Sequence, residues 1–204
     1  MALAPLLLPP DLRLTPEQFW WVCQANPEAV LELTADGTLI SMTPTGGETG
    51  STNGELLFQL RAFCRRQPAW RMFDSSTGFR LPDGAVLSPD GSLLRQERWQ
   101  ALTPEQRRGF PPLCPELVIE LANTSGASPS DAGSRGTASL RHKMDHYQAN
   151  GARLGWLLLP HERAVEIWRV GQPGMAERLE NASRLEGGEL AEGLALDLEE
   201  IWAV

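Results

Sequence analysis

The sequence is short of cysteine and has no long apolar run, and both shortages exclude classes of protein. Its three cysteines, Cys23, Cys64 and Cys114, form no Cys-x-x-Cys pair and no dense disulfide framework. Residues 1–10 are rich in leucine but lack a basic start and end in two prolines, which is unlike a signal peptide. No other segment approaches the roughly 18 consecutive apolar residues of a membrane helix. We therefore expect a soluble, cytoplasmic protein with reduced thiols.

Lysine is scarcer still, because 17 of the 18 basic residues are arginine and only Lys143 is lysine. A GC-rich coding bias would explain a surplus of arginine on a solvated surface. A lysine kept against such a bias can instead serve where the chemistry needs a compact ammonium group. Both interpretations stay open at this point.

Familiar catalytic motifs are also absent. The chain has no Walker A sequence and no Gly-x-Ser-x-Gly elbow, and His161-Glu162 lacks the second histidine of a zinc protease motif. The net charge of −8 argues against undirected binding to phosphates. A nucleic-acid role would therefore need a local basic patch or a metal ion.

Hydrophobic periodicity and turn signals predict one domain, residues 1–204, in which helices and strands alternate. Helices are predicted at residues 15–26, 53–67, 103–106 and 140–150, and strands at 30–34, 38–42, 70–80, 84–88, 117–121, 154–159 and 164–170. Residues 43–52 and 123–139 read as loops, and 194–202 as a short closing element. This order predicts an α/β or α+β fold with a mixed sheet.

Two acidic residues fall at the ends of predicted strands. Glu120 lies in the apolar run 117–121, where a charged carboxylate is costly unless a cation or strong donors offset it. Asp90 follows the strand at 84–88, although Pro-Asp-Gly is also a common turn and Glu120 could simply pair with an arginine. Together with Lys143 they would form an oxygen-ligand site for Mg²⁺ or Mn²⁺ beside an ammonium group. Such a set suits phosphodiester hydrolysis.

Other charged residues are weaker candidates. Glu55 could be a further ligand or helper acid, although a solvated glutamate is the plainer interpretation. His142 and His146 have a spacing suited to zinc, but no third ligand supports them and a plain helix surface is preferred. Three arginines cluster near the end of one predicted helix: Arg61, Arg65 and Arg66. They could contact a phosphate backbone only if they lie beside the carboxylates.

Several motifs in the same order resemble the Uma2 family. They are Pro-Thr-Gly-Gly-Glu-Thr-Gly at 44–50, Phe-Asp-Ser-Ser-Thr-Gly-Phe at 73–79 with Leu81-Pro82, Leu-Ser-Pro-Asp at 87–90, Pro-Glu-Leu-Val-Ile-Glu-Leu at 115–121, Lys143-Met144 with Tyr147, and Asn-Gly-Ala-Arg-Leu-Gly-Trp-Leu at 150–157. The resemblance extends from about Leu14 to Trp202. Uma2 proteins are similar to PD-(D/E)xK nucleases, which implies a restriction-endonuclease-like αβββαβ core, here with an extra N-terminal helix and hairpin.

The resemblance also implies a metal-dependent site. Asp90 and Glu120 match the metal-binding carboxylates, and the backbone carbonyl of Leu121 would be a third ligand. The lysine usually found two residues after the glutamate is replaced by Ala122, and Lys143 on the next helix fills its place. The resemblance thus gives Lys143 a role on grounds that are independent of the scarcity of lysine in the sequence.

Further positions match the family less closely. Glu55 matches an acid of the first core helix, and Glu32 in the predicted hairpin matches another recurring acid. The chain departs from the family between Glu120 and Lys143, where the phrase Ser-Pro-Ser-Asp stands displaced at 128–131. This segment connects Glu120 to the helix of Lys143, so the departure affects where Lys143 lies relative to Glu120.

We therefore expect divalent-metal-dependent hydrolysis of phosphodiester bonds, with Mg²⁺ or Mn²⁺ as cofactor and DNA as substrate. Cutting a duplex takes two sites, so a homodimer is also expected. The alternatives are a catalytically inactive binding or assembly module that keeps the nuclease fold, and a hydrolase of a small phosphodiester or nucleotide, which would suit an acidic protein.

Overall fold

The computed structural model describes residues 9, 11–42, 44–122, 136–171, 174 and 176–203. Its helices are α1 (Pro16–Ala25), α2 (Gly47–Arg66), α3 (Gln96–Ala101), α4 (Pro104–Arg108), α5 (Thr137–Ala149) and α6 (Leu198–Trp202). Its strands are β1 (Val30–Leu33), β2 (Leu39–Met42), β3 (Trp70–Asp74), β4 (Phe79–Arg80), β5 (Val86–Leu87), β6 (Gly91–Arg95), β7 (Leu117–Leu121), β8 (Leu154–Leu159), β9 (Ala164–Arg169), β10 (Glu177–Glu180), β11 (Arg184–Glu186) and β12 (Ala195–Asp197). The leucine-rich start and residues 123–135, with the Ser-Pro-Ser-Asp phrase, lie outside the described residues.

The central element of the described chain is a six-stranded sheet with the order β10-β9-β8-β7-β6-β3. β7 and β8 run parallel, and α5 connects them, because parallel neighbours need a crossover. The other neighbouring strands are antiparallel. Taken in chain order, the core elements are α2, β3, β6, β7, α5 and β8, with shorter elements between some of them. Their order is αβββαβ, so the predicted core and mixed sheet are confirmed.

Helices cover both faces of this sheet. Leu117, Ile119 and Leu121 of β7 alternate into the cluster that contains Leu56 and Leu60 of α2. Val118 belongs to the opposite cluster, which includes the buried side of α5. α5 lies so close to β8 that a Cβ added at Gly155 would collide with Met144. Because successive side chains of a strand alternate, Glu120 points to the α5 face along with Val118.

A second, smaller sheet brings the N-terminal hairpin to the core. Its order is β2-β1-β5-β4, and Leu33 of β1 pairs with Val86 of β5. α1 precedes it and begins at a capping box, in which Thr15 and Gln18 each accept a backbone N–H of the other. The predicted extra helix and hairpin are thus confirmed. They place β1 next to the segment that leads from β5 to Asp90.

The structure corrects several predicted elements. The predicted loop 43–52 is wrong in its second half, because α2 begins at Gly47 and buries Thr49 and Thr52 against the core. The predicted strand 70–80 is two strands in different sheets, divided at a turn where Asp74 accepts the backbone N–H of Ser76. α5 begins at Thr137, three residues before its predicted start. The predicted closing element at 194–202 consists of β12 and α6, and the sequence reasoning missed β6, α3, β10 and β11.

All three cysteines are free, as the expectation of reduced thiols requires. Burial raises the pKa of the Cys64 thiol to about 11 and that of the Cys114 thiol to about 12. Within the described ranges, no helix combines the length and hydrophobicity that crossing a bilayer demands.

Candidate active site

Asp90 and Glu120 meet where neighbouring strands of the central sheet end. Asp90 immediately precedes β6, and Glu120 is the penultimate residue of β7. The two strands are antiparallel neighbours, with Gly91 opposite Ile119. The backbone N–H of Leu121 donates a hydrogen bond of 2.9 Å to Oδ2 of Asp90. Pairing of the strands therefore fixes one carboxylate beside the other, as the sequence predicts.

Lys143 reaches this point from the helix on the same face of the sheet. Its Nζ lies 2.9 Å from Oε1 of Glu120 and 2.7 Å from Oε1 of Glu32. It also donates to the backbone carbonyl of Ser88 at 3.1 Å. The side chain is only 12% exposed, so the ammonium group is held in a largely dry position by three oxygen acceptors. The only lysine of the chain thus joins the carboxylate pair.

Glu32 belongs to the same cluster although it comes from the N-terminal hairpin. It is 3% exposed, and its Oε1 accepts both Lys143 and the backbone N–H of Ser88, the latter at 2.7 Å. The sequence signal for this role was an acid within the apolar strand Val30–Leu33. Its partner could not be read from the sequence, because the contact depends on how the small sheet docks.

Tyr147 is a site residue that the sequence reasoning noted only as part of a motif. Its hydroxyl donates to Oε1 of Glu120 at 3.2 Å, and the residue is fully buried. Lys143 and Tyr147 are four residues apart on α5, a spacing that places both on one helix face. That spacing was the available signal.

The cluster contains more acidic than basic groups. Burial, with the nearby charges of Asp90 and Glu32, raises the pKa of Glu120 to about 8, although Lys143 opposes the shift. Burial favours the neutral form of Lys143, but Glu120 and Glu32 outweigh it and raise the pKa of the ammonium group. Burial, aided by the charge of Glu120, also raises the pKa of Tyr147. The negative charges of the cluster therefore outnumber the one positive charge, that of Lys143.

The donor set can be tested against a divalent ion. Among the described residues, no group of three or more His, Cys, Asp or Glu side chains is placed to hold a metal. Mg²⁺, however, usually keeps several waters and is held by one or two carboxylates. Asp90 and Glu120 supply hard oxygen donors in a cluster whose acidic groups outnumber its one ammonium group, so the residues fit such an ion. The carbonyl of Leu121 as third ligand stays a prediction.

The cluster opens onto a cavity of about 670 Å³. Asp90, Glu120, Leu121 and Lys143 line one part of it. The hairpin and the start of α2 supply other walls, which include Leu31, Met42, Thr45, Thr49 and Asn53. A substrate entering this cavity would therefore meet the carboxylates and the ammonium group together.

Other candidates lie elsewhere. Glu55 accepts a hydrogen bond from Nε2 of Gln59 on its own helix and does not line the cavity. Its predicted helper role is therefore without support from this geometry and stays a prediction. His146 lies 2.7 Å from Asp83, and His142 is exposed. The arginine cluster of α2 is exposed and does not line the cavity; it comprises Arg61, Arg65 and Arg66.

Comparison with known proteins supports the same fold. The chain resembles a crystal structure of a protein from Anabaena variabilis described as "a putative nuclease belonging to DUF820". The TM-score is 0.70 with 19% sequence identity, and the match covers 93% of this chain and 98% of that one. A comparison with curated proteins found no match. The model of the Uma2 family, described as "Putative restriction endonuclease", matches residues 16–199. Since that match spans nearly the whole sequence, the chain belongs to the Uma2 family.

Proposed function

We propose that this protein hydrolyses phosphodiester bonds of DNA with Mg²⁺ or Mn²⁺ as cofactor. The observation that carries the proposal is the cluster of Asp90, Glu120 and Lys143, which opens onto a cavity. The description of the family as restriction endonucleases and that of the Anabaena protein as a nuclease support the same reaction class. Hydrolysis of a nucleic-acid backbone is therefore the function that best fits the site.

Asp90 and Glu120 would hold the metal, with the carbonyl of Leu121 as a further ligand. A bound divalent ion supplies Lewis-acid chemistry, which polarises a phosphoryl oxygen and makes water a better nucleophile at neutral pH. The backbone N–H of Leu121 fixes Asp90, and the hydroxyl of Tyr147 fixes Glu120. Both carboxylates are therefore oriented before substrate arrives.

Lys143 would act on the phosphate and on the attacking water. All three of its N–H donors face protein oxygens in this structure, so one would be exchanged for a phosphoryl oxygen, where the ammonium charge stabilises the charge that develops in the transition state. Glu32 holds the ammonium group near Glu120, and the carbonyl of Ser88 accepts from it as well. We assign Glu32 and Tyr147 as positioning residues, because they act through Lys143 and Glu120.

Two further expectations belong to this proposal. A homodimer would supply the two sites needed to cut both strands of a duplex, and three free cysteines suit a cytoplasmic location. A small phosphodiester remains the second candidate substrate. The observation in its favour is the net charge of −8, which weakens the attraction of a long polyanion.

The test is cleavage of supercoiled plasmid and of bis(p-nitrophenyl) phosphate with Mg²⁺ or Mn²⁺. We expect the wild-type protein to nick the plasmid, and we expect Asp90→Ala and Lys143→Met to abolish nicking while the proteins remain folded. Two variants of exposed residues serve as matched controls: Glu105→Ala for the lost carboxylate and Arg184→Met for the lost cation.

The outcomes separate the candidate functions. Nicking that disappears in both site variants and persists in both controls supports the proposal. Hydrolysis of the small diester without nicking favours the small substrate. Plasmid nicking that Lys143→Met retains at the wild-type rate contradicts the role of Lys143, and hydrolysis of neither substrate contradicts the enzyme proposal and favours a binding module.

A further inference from the structure

An aromatic groove lies beside the active-site cavity. Its volume is about 290 Å³, and it is lined by Pro16, Glu17, Trp20, Trp21, Arg80, Gly109 and Phe110. Trp21 is 70% exposed, which is unusual for the largest apolar side chain. Trp21 and Trp20 are consecutive residues of α1, so the groove is built on a helix rather than on a loop.

The inner wall of the groove is held in place by aromatic contacts. The ring of Phe110 stacks on buried Phe19, with centroids 5.4 Å apart and an interplanar angle of 26°. Trp20 meets the same ring edge-on, at 5.1 Å and 85°. The exposed ring of Trp21 therefore stands next to a preorganised aromatic surface. A planar ligand could stack there at little cost in ordering the protein.

The groove adjoins the cavity of the candidate site. Phe110 lines both spaces, so a strand whose phosphate enters the cavity could place a neighbouring base in the groove. At the rim, Arg80 pairs with Glu17 at 2.8 Å, and both side chains stay partly exposed. Arg80 offers hydrogen-bond donors and Glu17 a hydrogen-bond acceptor, and both suit the edge of a base.

We propose that this groove binds an unpaired nucleobase of the substrate strand by stacking against Trp21. The inference rests on the proposed function, which supplies the strand. Stacking on an aromatic ring needs no excess of positive charge, because every base presents a π-face. It therefore suits a chain with a net charge of −8, in which attraction to phosphates is weak.

A second protein surface fits the groove less well. A stable protein interface buries about 800 Å² on each partner, whereas one tryptophan contributes roughly 150–250 Å² when fully buried. The other exposed large hydrophobic side chains described are Val30 of β1, Phe58 of α2 and Val170, which follows β9. They are not part of the groove lining, so they do not enlarge it into a continuous patch.

The test measures binding of a fluorescent single-stranded oligonucleotide and of its abasic counterpart by anisotropy, in EDTA so that metal-dependent cleavage cannot occur. We expect Trp21→Ala to weaken binding of the base-containing strand roughly 5- to 150-fold. Binding of the abasic strand should not change. Trp21→Phe should restore most of the affinity, because it keeps an aromatic face. Phe58→Ala is the matched control, since Phe58 is 67% exposed on α2 and lines neither space.

Several results would overturn the inference: no base-dependent binding by the wild type, equal losses for both strands, or an equal loss in Phe58→Ala. Sedimentation that shows Trp21→Ala dissociating a dimer while base binding persists would assign the groove to a second copy instead. Cleavage of bis(p-nitrophenyl) phosphate separates this test from that of the proposed function. Base-dependent binding without any cleavage supports the groove and contradicts the enzyme, whereas cleavage with unchanged binding in Trp21→Ala contradicts the groove alone.

Discussion

At the scale of single residues, the decisive feature is one oxygen atom of Glu32. That Oε1 accepts from both Nζ of Lys143 and the backbone N–H of Ser88. Glu32→Gln keeps the size and an acceptor oxygen but removes the charge that holds the ammonium group. Loss of a group that orients the residues of a metal site typically costs about 10- to 100-fold in activity. We expect a loss of that size in plasmid nicking, with the thermal midpoint little changed.

The matched control is Glu28→Gln, which makes the same substitution at an exposed residue lining the same cavity. It should nick plasmid at the wild-type rate. The two variants are compared at equal purity and with thermal unfolding of each. An equal loss in both, or full activity in Glu32→Gln, would show that Glu32 does not position Lys143.

The sequence predicted part of this site because its signals were local. Glu120 was identified as an acid in an apolar strand, and Lys143 as the only lysine of the chain. The docking of β1 beside Ser88 could not be predicted, because no local pattern specifies how a hairpin packs on a distant segment. Tyr147 was missed as a donor for the same reason, since its partner lies 27 residues away.

At the scale of elements, α5 carries Lys143 and is anchored to the sheet by an ion-pair network. Arg141 of α5 donates to both oxygens of Glu166 on β9, and Arg178 of β10 also donates to it. The pKa of Glu166 is lowered from its ordinary value of 4.5, and the largest cause is hydrogen bonding from Arg141. A carboxylate with a lowered folded pKa contributes stability above its unfolded pKa and loses it as the pH falls through the folded one.

Glu166→Gln should therefore be less stable than the wild type at neutral pH, and the difference should shrink as the pH falls below 4.5. Urea midpoints measured across this range check the expectation. Glu105→Gln, at an exposed residue of α4, should follow the wild type throughout. A difference between Glu166→Gln and the wild type that stays constant with pH would mean that the charge of Glu166 does not anchor α5.

Elements whose local sequence determines their conformation were predicted well, and elements whose conformation depends on packing against the rest of the protein were not. β8 is a continuous apolar run and Glu120 alone interrupts the apolar run of β7, as expected for strands buried on both faces. The start of α2 is rich in glycine and threonine and locally resembles a loop, yet burial of Thr49 and Thr52 extends the helix there. β6 begins at Gly91, where a Cβ would lie 2.9 Å from Leu60, so its place reflects close contact with α2.

At the scale of the whole molecule, charge limits how nucleic acid can bind. The chain carries a net charge of −8. Among the described residues that line the cavity, Lys143 is the only basic one, while Glu28, Asp90 and Glu120 are acidic. A long polyanion would therefore be held by few direct contacts to phosphates. Stacking of bases and a bound metal ion would have to supply the remaining binding free energy.

This charge distribution predicts a shallow dependence of DNA binding on salt. Each phosphate neutralised by a protein cation costs about 3.5-fold in affinity between about 50 and 200 mM salt, because counterions are released. With one or two such contacts we expect a loss of roughly 4- to 12-fold, far below the roughly 1000-fold or more of proteins that contact 6–10 phosphates. Anisotropy titrations of a labelled oligonucleotide at increasing KCl measure the slope. A steep slope would mean that cations outside the cavity bind the backbone, and the exposed arginines of α2, Arg61, Arg65 and Arg66, would be the first to replace.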